Sequence, residues 1–435
     1  MTIRLHRPYN LSAEVALPAS KSISNRALLL SALSGSPVSE LTNISDCDDT
    51  RAMLAALTDD STTINIGAAG TAMRFLTAWL SLGMCQDDRT SAAPRILTGS
   101  TRMCERPISV LVDALRELGA QIEYFGDEGF PPLRITPATL RGGRLSLRGD
   151  VSSQYVSALL MIAPLLADGL ELTLTGTVAS RPYIDMTMSM MRHFGAEACW
   201  KDEQTIAVRP QPYRQEAFTI ESDWSAASYW YSIVLLSSNE HETATLKGLF
   251  DTSLQGDSES RGLFRELGVE TIALSQGTRD PMINIARRPQ QPEYVEYDFT
   301  RMPDLVQTFA VACALKGVPF RFTGVQSLRI KETDRIAALQ HELDKLGITL
   351  ENEGDEAITW PGPDRQRMAS VDYLQLSAGT VIDTYADHRM AMAFAPAAQV
   401  LGSIMINNPE VVTKSYPRFW DDLEKAGFTI EVIQS

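Results

Sequence analysis

The sequence is poor in the features that announce many protein classes. It has five cysteines, Cys47, Cys85, Cys104, Cys199 and Cys313, scattered and without CxxC spacing. That pattern points to reduced thiols in a cytosolic compartment and away from a disulfide framework or a zinc site. No stretch long enough to span a bilayer is free of charges or turn residues. The start, Met-Thr-Ile-Arg-Leu-His-Arg-Pro-Tyr-Asn, has neither a signal peptide's apolar segment nor a transit peptide's Arg/Ser-rich pattern, so a cytoplasmic location is expected. Neither GxxxxGK[ST] nor GxGxxG occurs at the one Gly/Ala-rich turn before a helix, which removes the usual support for nucleotide binding. With a formal net charge of −15 and no extended run of like charges, a broad nucleic-acid-binding face is excluded, and any basic site has to be local.

What is present is an ordinary globular composition, 44% hydrophobic and 21% charged over 435 residues. That length favours two domains of roughly 200 residues each. One pattern recurs: an amphipathic helical stretch, Leu-Gly or a close variant, then a short alternating strand. The copies run through Leu115-Arg-Glu-Leu-Gly119, Met191-Arg-His-Phe-Gly195, Phe264-Arg-Glu-Leu-Gly268, Leu343-Asp-Lys-Leu-Gly347 and Leu423-Glu-Lys-Ala-Gly427. Their glycines lie 76, 73, 79 and 80 residues apart. Each stands where a helix needs a left-handed C-terminal residue before the chain turns into a strand. A sixth, worn copy is read at Met53–Asp60 followed by Thr63-Ile-Asn-Ile, with aspartates in place of the glycine. Six copies divide into two sets of three, so a duplicated α+β chain is expected. Its domains would be 19–223 and 224–435 plus 1–18, with the boundary near Phe218–Trp224 and a hinge near Leu17–Ser20.

Several segments place anion-binding chemistry at helix starts, where free N–H groups and the dipole favour negative charge. Leu17-Pro-Ala-Ser-Lys-Ser-Ile-Ser-Asn-Arg26 puts Lys21, Ser22 and Arg26 on the first turns of a helix; it reads either as an anion site or as a serine cap with solvated basic residues. Ile66-Gly-Ala-Ala-Gly-Thr-Ala-Met-Arg74 offers bare backbone to a phosphate or carboxylate, or is a packed turn. In Thr98–Pro107, Arg102 and Arg106 could grip an oxyanion with paired hydrogen bonds or simply be solvated, and nothing nearby would activate Cys104. Ser152, Ser153 and Gln154 open another helix as neutral donors or as a cap, and Ala179–Asp185 is a weaker example. The densest cluster lies later. Arg329-Ile-Lys-Glu-Thr-Asp-Arg335 and Tyr385-Ala-Asp-His-Arg389 each open a helix with alternating acids and bases. With Asp304 and Lys414 they supply carboxylates beside many cations, an arrangement able to set acid and base pKa values in a closed cleft.

In order and spacing, Lys21-Ser-x-Ser-Asn-Arg26, Ala69-Gly-Thr-Ala-Met-Arg74, Glu105-Arg-Pro107, Ser152-Ser-Gln154, Pro303-Asp304, Lys331-Glu-Thr-Asp-Arg335, Asp387-His-Arg389 and Lys414 resemble the 5-enolpyruvylshikimate-3-phosphate synthases. The resemblance runs from about Pro18 to Phe419. It implies two similar domains, each of three βαβαββ units around inward helices, an inside-out α/β barrel with the active site in the interdomain cleft. It also implies transfer of the enolpyruvyl group of phosphoenolpyruvate to the 5-hydroxyl of shikimate 3-phosphate, in chorismate biosynthesis, with no metal or organic cofactor; a monomer acting on these small molecules is expected.

Carried over by position, Lys21, Ser22, Arg26, Ser152, Ser153, Ser180, Asp304, Ser327 and Lys331 would bind shikimate 3-phosphate. Lys21, Gly70, Arg106, Gln154, Arg335, Arg389 and Lys414 would bind phosphoenolpyruvate. Asp304 is the expected base for the 5-hydroxyl and Glu332 the proton carrier at C3, assisted by Lys21. Gly70 is the small residue that leaves room for glyphosate. Ala68 and Ser327 stand where family members usually or often have asparagine, and Cys104 where a polar or basic residue is more common. Two rival readings are a UDP-N-acetylglucosamine enolpyruvyl transferase, for which Cys104 is the sole support, and a non-catalytic anion-binding homologue, against which the carboxylates argue.

Overall fold

The computed structural model describes residues 1–83, 93–150, 152–178, 180–275, 281–363 and 379–433. Cys85, Val151 and Ala179 lie outside the described residues. The chain separates into two compact units, one of Ala19–Ile220 and one of Met1–Pro18 with Glu221–Ser435.

Among the described residues, five four-stranded sheets share one topology. The first strand of each pairs parallel with the second, the second antiparallel with the fourth, and the fourth antiparallel with the third. This is the βαβαββ repeat. Two such sheets lie in the Ala19–Ile220 unit, built on Thr63–Asn65 with Arg95–Thr98 and on Gly143–Arg148 with Leu170–Thr175. Three lie in the other unit. In one of these the strand Thr2–His6 fills the fourth position, between Ser403–Asn407 and Thr429–Ile433. In another, Ala13–Ala16 pairs parallel with Thr243–Lys247, so the whole Ala19–Ile220 unit is inserted between the first strand of that repeat and its helix Trp224–Leu236.

The five repeat glycines all adopt the left-handed conformation, with φ of 103° at Gly119, 87° at Gly195, 100° at Gly268, 76° at Gly347 and 103° at Gly427. The worn sixth copy is corrected. Its helix, Asp48–Thr58, ends on Asp59 in extended backbone, and the strand after it, Thr63–Asn65, is the first strand of the next sheet. What remains of the sixth repeat is a two-stranded sheet of Leu41–Thr42 and Phe218–Thr219. Without a left-handed residue at the helix end, the chain does not fold back into the hairpin that completes the other five.

The first helix of each repeat is the buried one. In the larger unit these are Trp224–Leu236, Val306–Lys316 and His388–Phe394; every residue of Trp224–Leu236 and of His388–Phe394 is buried. A helix apolar around its whole circumference is stable only when surrounded by protein. In the other unit the counterparts are Lys21–Ser34, Gly70–Ser81 and Ser153–Ile162. Lys21, Gly70, Ser153, Asp304 and Arg389 stand at or just before the N-termini of five of these helices, so burial of the helix holds each of them in place; Arg106, Ser180, Ser327, Lys331, Glu332, Arg335 and Lys414 lie in other turns and at other helix starts. Among the described residues no helix is long and apolar enough to cross a membrane.

Candidate active site

In the unit containing Glu221–Ser435, Arg335 is the centre of a charge cluster. Its side chain is 2% exposed. Nε donates to Asp387 Oδ2 at 2.7 Å, Nη1 to Asp304 Oδ1 at 3.0 Å and Nη2 to Glu332 Oε2 at 2.8 Å. Burial alone would weaken this cation, but the charges of Asp387, Glu332 and Asp304 outweigh it and hold the guanidinium above its ordinary pKa.

Asp304 sits in the turn Pro303–Leu305 that feeds the buried helix Val306–Lys316. Besides Arg335, it accepts from Arg389 Nη2 at 3.0 Å through Oδ2, and Lys331 Nζ lies 3.5 Å from Oδ1. Burial pushes its carboxyl up; Arg389, Lys331 and Arg335 push it down harder and leave it well below the ordinary carboxylate range. Glu332 is held from both sides, by Arg335 and by Lys414 Nζ, which donates to Oε1 at 3.0 Å. Asp387 caps the helix His388–Phe394 by accepting from Arg389 N at 2.9 Å, so one carboxylate braces both arginines. The two residues before it, Tyr385 and Ala386, have φ of 54° and 55°, a strained backbone that the surrounding fold must hold in place.

The sequence places Lys331-Glu-Thr-Asp334 on the first turn of a helix; the structure places it ahead of one. The helix is Arg335–Asp344, with Asp334 as its cap accepting from Ala337 N at 3.1 Å. Lys331, Glu332 and Thr333 occupy the turn after Gln326–Ile330, which lets both Lys331 and Glu332 reach back to the cluster. Ser327 is half-buried in that preceding turn.

In the Ala19–Ile220 unit, Ser20 caps the helix Lys21–Ser34. Lys21 Nζ lies 3.7 Å from Asp49 Oδ2, and Ser22 is half-buried beside it. Arg26 is buried and largely committed to the protein: Nε donates to Thr187 Oγ1 at 2.8 Å, Nη2 to Ser157 Oγ at 3.0 Å and Nη1 to Ser22 O at 2.9 Å. Burial lowers its pKa to about 10.

Gly70, Thr71, Arg106 and Gln154 come together. Gln154 Nε2 donates to Thr71 Oγ1 at 3.1 Å, and a Cβ built on Gly70 would meet Arg106 Nη1 at 2.8 Å and Arg74 Nη1 at 3.2 Å. Glycine therefore lets a guanidinium lie directly over a helix N-terminus. Arg102 does not join this group; it is exposed and paired with Glu105 at 3.1 Å. Cys104 lies in the short helix Thr101–Cys104, its Sγ 3.9 Å from Thr98 Oγ1 and from Gly99 O. Ser152 caps Ser153–Ile162 through Gln154 N at 3.3 Å, leaving Ser153 on the first turn. Ser180 precedes Arg181–His193 with φ 54° and spends no side-chain hydrogen bond on capping it. Ala68 is exposed.

Asp49, Thr71 and Asp387 are candidate functional residues that sequence reasoning left without a role. Thr71 and Asp387 lie inside the motifs already noted, and Asp49 had a signal only as an acid at a helix start. Their partners are 28, 83 and 52 residues away in the chain, beyond any local pattern.

Known structures share this architecture of repeated βαβαββ sheets. An EPSP synthase from Acinetobacter baumannii superposes with a TM-score of 0.76 at 23% identity, covering 100% of both chains. The enolpyruvyl transferase NikO from Streptomyces tendae gives 0.72 at 16%, over 100% of this chain and 99% of that one. The chain has the two-domain enolpyruvyl transferase fold. A model of the family EPSP synthase (3-phosphoshikimate 1-carboxyvinyltransferase) matches residues 5–59 and 57–423. A 3-phosphoshikimate 1-carboxyvinyltransferase of Bacteroides fragilis strain YCH46 is 52% identical over 99% of both chains, and one of Vibrio cholerae strain M66-2 is 38% identical over 94% of this chain and 96% of that one. The chain belongs to the EPSP synthase family.

Proposed function

We propose that this chain transfers the enolpyruvyl group of phosphoenolpyruvate to the 5-hydroxyl of shikimate 3-phosphate, and that the clusters described above carry the reaction. Family membership and full-length relatives of that name support the activity over a UDP-N-acetylglucosamine transferase or a non-catalytic homologue. The observation that carries the residue assignments is the Arg335 cluster, in which two carboxylates expected to move protons are held among four cations.

The 5-hydroxyl oxygen bonds to C2 of phosphoenolpyruvate as C3 takes a proton. The intermediate then loses that proton from C3 as the C2–O bond to phosphate breaks, which restores the double bond and releases inorganic phosphate. Asp304 accepts the hydroxyl proton, and Glu332 exchanges the proton at C3 with Lys21 assisting. As it stands, Asp304 is a weak base because three cations stabilise its charge. Substrate anions that draw Lys331 and Arg389 to themselves strengthen it, and the same change around Lys414 prepares Glu332 to carry a proton.

Lys21, Gly70, Arg106, Gln154, Arg335, Arg389 and Lys414 hold phosphoenolpyruvate and neutralise the charge that moves to the departing phosphate. Ser22, Arg26, Ser152, Ser153, Ser180, Ser327 and Lys331 hold shikimate 3-phosphate, Arg26 chiefly by fixing Ser22. Each set draws residues from both domains, 19–223 and 224–435 plus 1–18, so the reaction requires the two domains to meet the same pair of substrates. We read the protein as a cytoplasmic monomer acting on small molecules, without nucleic-acid or membrane partners.

Inorganic phosphate release from phosphoenolpyruvate tests the assignment, with shikimate 3-phosphate in one tube, UDP-N-acetylglucosamine in a second and no added metal. Release that depends on shikimate 3-phosphate is expected. Release only with the nucleotide sugar, or none in either tube, would defeat it.

A further inference from the structure

One buried carboxyl group stands behind the cluster without belonging to it. Asp257 lies in the turn Gly256–Glu259 and is 3% exposed. Its Oδ2 accepts a hydrogen bond from Ser225 Oγ, while Oδ1 is buried with no hydrogen-bond partner among the described residues. Ser225 Oγ in turn receives Arg389 Nη2 at 3.4 Å. The same Nη2 donates to Asp304 Oδ2 at 3.0 Å, and Arg389 Nη1 donates to the Asp304 carbonyl at 3.2 Å. A continuous chain, Asp257 to Ser225 to Arg389 to Asp304, therefore ends on the expected base.

Capping does not account for this carboxyl. The start of Trp224–Leu236 is already satisfied by Asp223, which accepts from Ser225 N at 3.0 Å, and by Gln255, whose Oε1 accepts from Trp224 N at 3.1 Å. Gln255 is itself tied down through Nε2 to Glu221 Oε2 and Ser222 O, both at 2.8 Å, so the turn carrying Asp257 is fastened rigidly. What remains for Asp257 is the Ser225 hydroxyl and, through it, the arginine.

We propose that Asp257 is a positioning residue for the transfer reaction, orienting the Arg389 guanidinium through Ser225 so that it addresses Asp304 and the phosphoenolpyruvate anion together. This rests on the reading of Arg389 given above. The groups facing Asp257 are Asp223 and Ser225 from one helix start, Asp304 from the turn Pro303–Leu305, and Arg389 from His388–Phe394. Burial first, then the negative charge of Asp304, raises its carboxyl to about 7, with Asp223 adding to the rise and Arg389 and Ser225 opposing it. Ionisation near neutrality therefore adds a negative charge beside Arg389 and competes with the substrate anion for it.

The test is steady-state kinetics of the full chain with both substrates, for Asp257→Ala, Asp257→Asn, Ser225→Ala and Arg389→Gln. Asp257→Ala is expected to raise the KM for phosphoenolpyruvate about tenfold while kcat changes by less than about threefold. Asp257→Asn, which still offers Ser225 an acceptor, should bring KM back to within about threefold of wild type. The ratio of wild-type KM to Asp257→Asn KM should rise as pH increases through about 7, since only the carboxyl ionises. A KM within about twofold of wild type in Asp257→Ala and Ser225→Ala, alongside a raised KM in Arg389→Gln, would overturn the proposal and leave the reading of Arg389 standing. An unchanged KM in Arg389→Gln would overturn both. If Asp257→Ala does not fold, Ser225→Ala and the pH dependence of Asp257→Asn decide: a normal KM in the first or a constant ratio in the second refutes the role.

Discussion

Arg335 Nε and Asp387 Oδ2 are 2.7 Å apart, and neither side chain is more than 2% exposed. The pair joins the start of helix Arg335–Asp344 to the cap of helix His388–Phe394, with the guanidinium's other two nitrogens directed at Asp304 and Glu332. Removing one partner of a buried pair costs about 3–5 kcal/mol when the other charge is left uncompensated, and Asp304 and Glu332, which stay beside Arg335, should hold the loss below that. Asp387→Ala should therefore unfold at lower urea concentration and lose activity through both arginines. An unchanged urea midpoint would show that Arg335 finds compensation elsewhere.

Asp304, the proposed base, is also held in its charged form by the fold. Its folded pKa lies below the unfolded value of about 3.9. Its contribution to stability is thus fully present above that unfolded value and is lost as pH falls through the lower folded one. Asp304→Asn should flatten the acid side of the stability profile, measured as melting temperature between about pH 5 and pH 2, and reduce kcat about 10²–10⁴-fold near neutrality. An enzyme of wild-type kcat would remove Asp304 as the base.

Glu332 can be separated from Asp304 by isotope exchange. In deuterated water with both substrates, wild type should place deuterium at C3 of recovered phosphoenolpyruvate through reversal of the addition step. Glu332→Gln should slow this exchange about 10²–10⁴-fold, as expected for loss of a positioned acid–base group. Exchange at the wild-type rate would assign the C3 proton to another residue.

At Gly70 a methyl group would stand 2.8 Å from the far end of the flexible Arg106 side chain, so the arginine and not the backbone must give way. Gly70→Ala should fold normally, raise the KM for phosphoenolpyruvate several-fold and weaken inhibition by glyphosate, which the wild-type enzyme should bind in competition with phosphoenolpyruvate. Wild-type inhibition constants in the variant would show that this space is not used.

Two of the repeat glycines allow a graded test of the fold. A Cβ at Gly119 would lie 3.8 Å from the nearest atom, Thr139 O, so Gly119→Ala suffers only the left-handed backbone penalty of about 1–2 kcal/mol. At Gly268 the same atom would lie 2.3 Å from the Gln290 carbonyl oxygen, so Gly268→Ala adds a backbone clash to that penalty. The melting temperature should fall more for Gly268→Ala than for Gly119→Ala; the reverse order would contradict the packing.

The sequence by itself determined the repeat. A helix followed by glycine and an alternating strand is a local pattern, written within about a dozen residues, and all five glycines take the conformation that pattern requires. It also placed basic and hydroxyl residues at helix starts, since capping and dipole arguments are local too. The sixth repeat was misread because a strand's sheet is chosen by its partners, and Thr63–Asn65 pairs with Arg95–Thr98. Only the tertiary structure decided which charges meet. Arg26 and Arg102 look alike in sequence, yet one is buried on hydroxyls and the other pairs at the surface. Asp257 carried no signal at all, because its effect on Arg389 passes through Ser225 and a contact spanning 164 residues. Electrostatic and hydrogen-bond energies depend on distances of a few ångströms, and those are fixed by packing long helices side by side, not by the order of residues along any one of them.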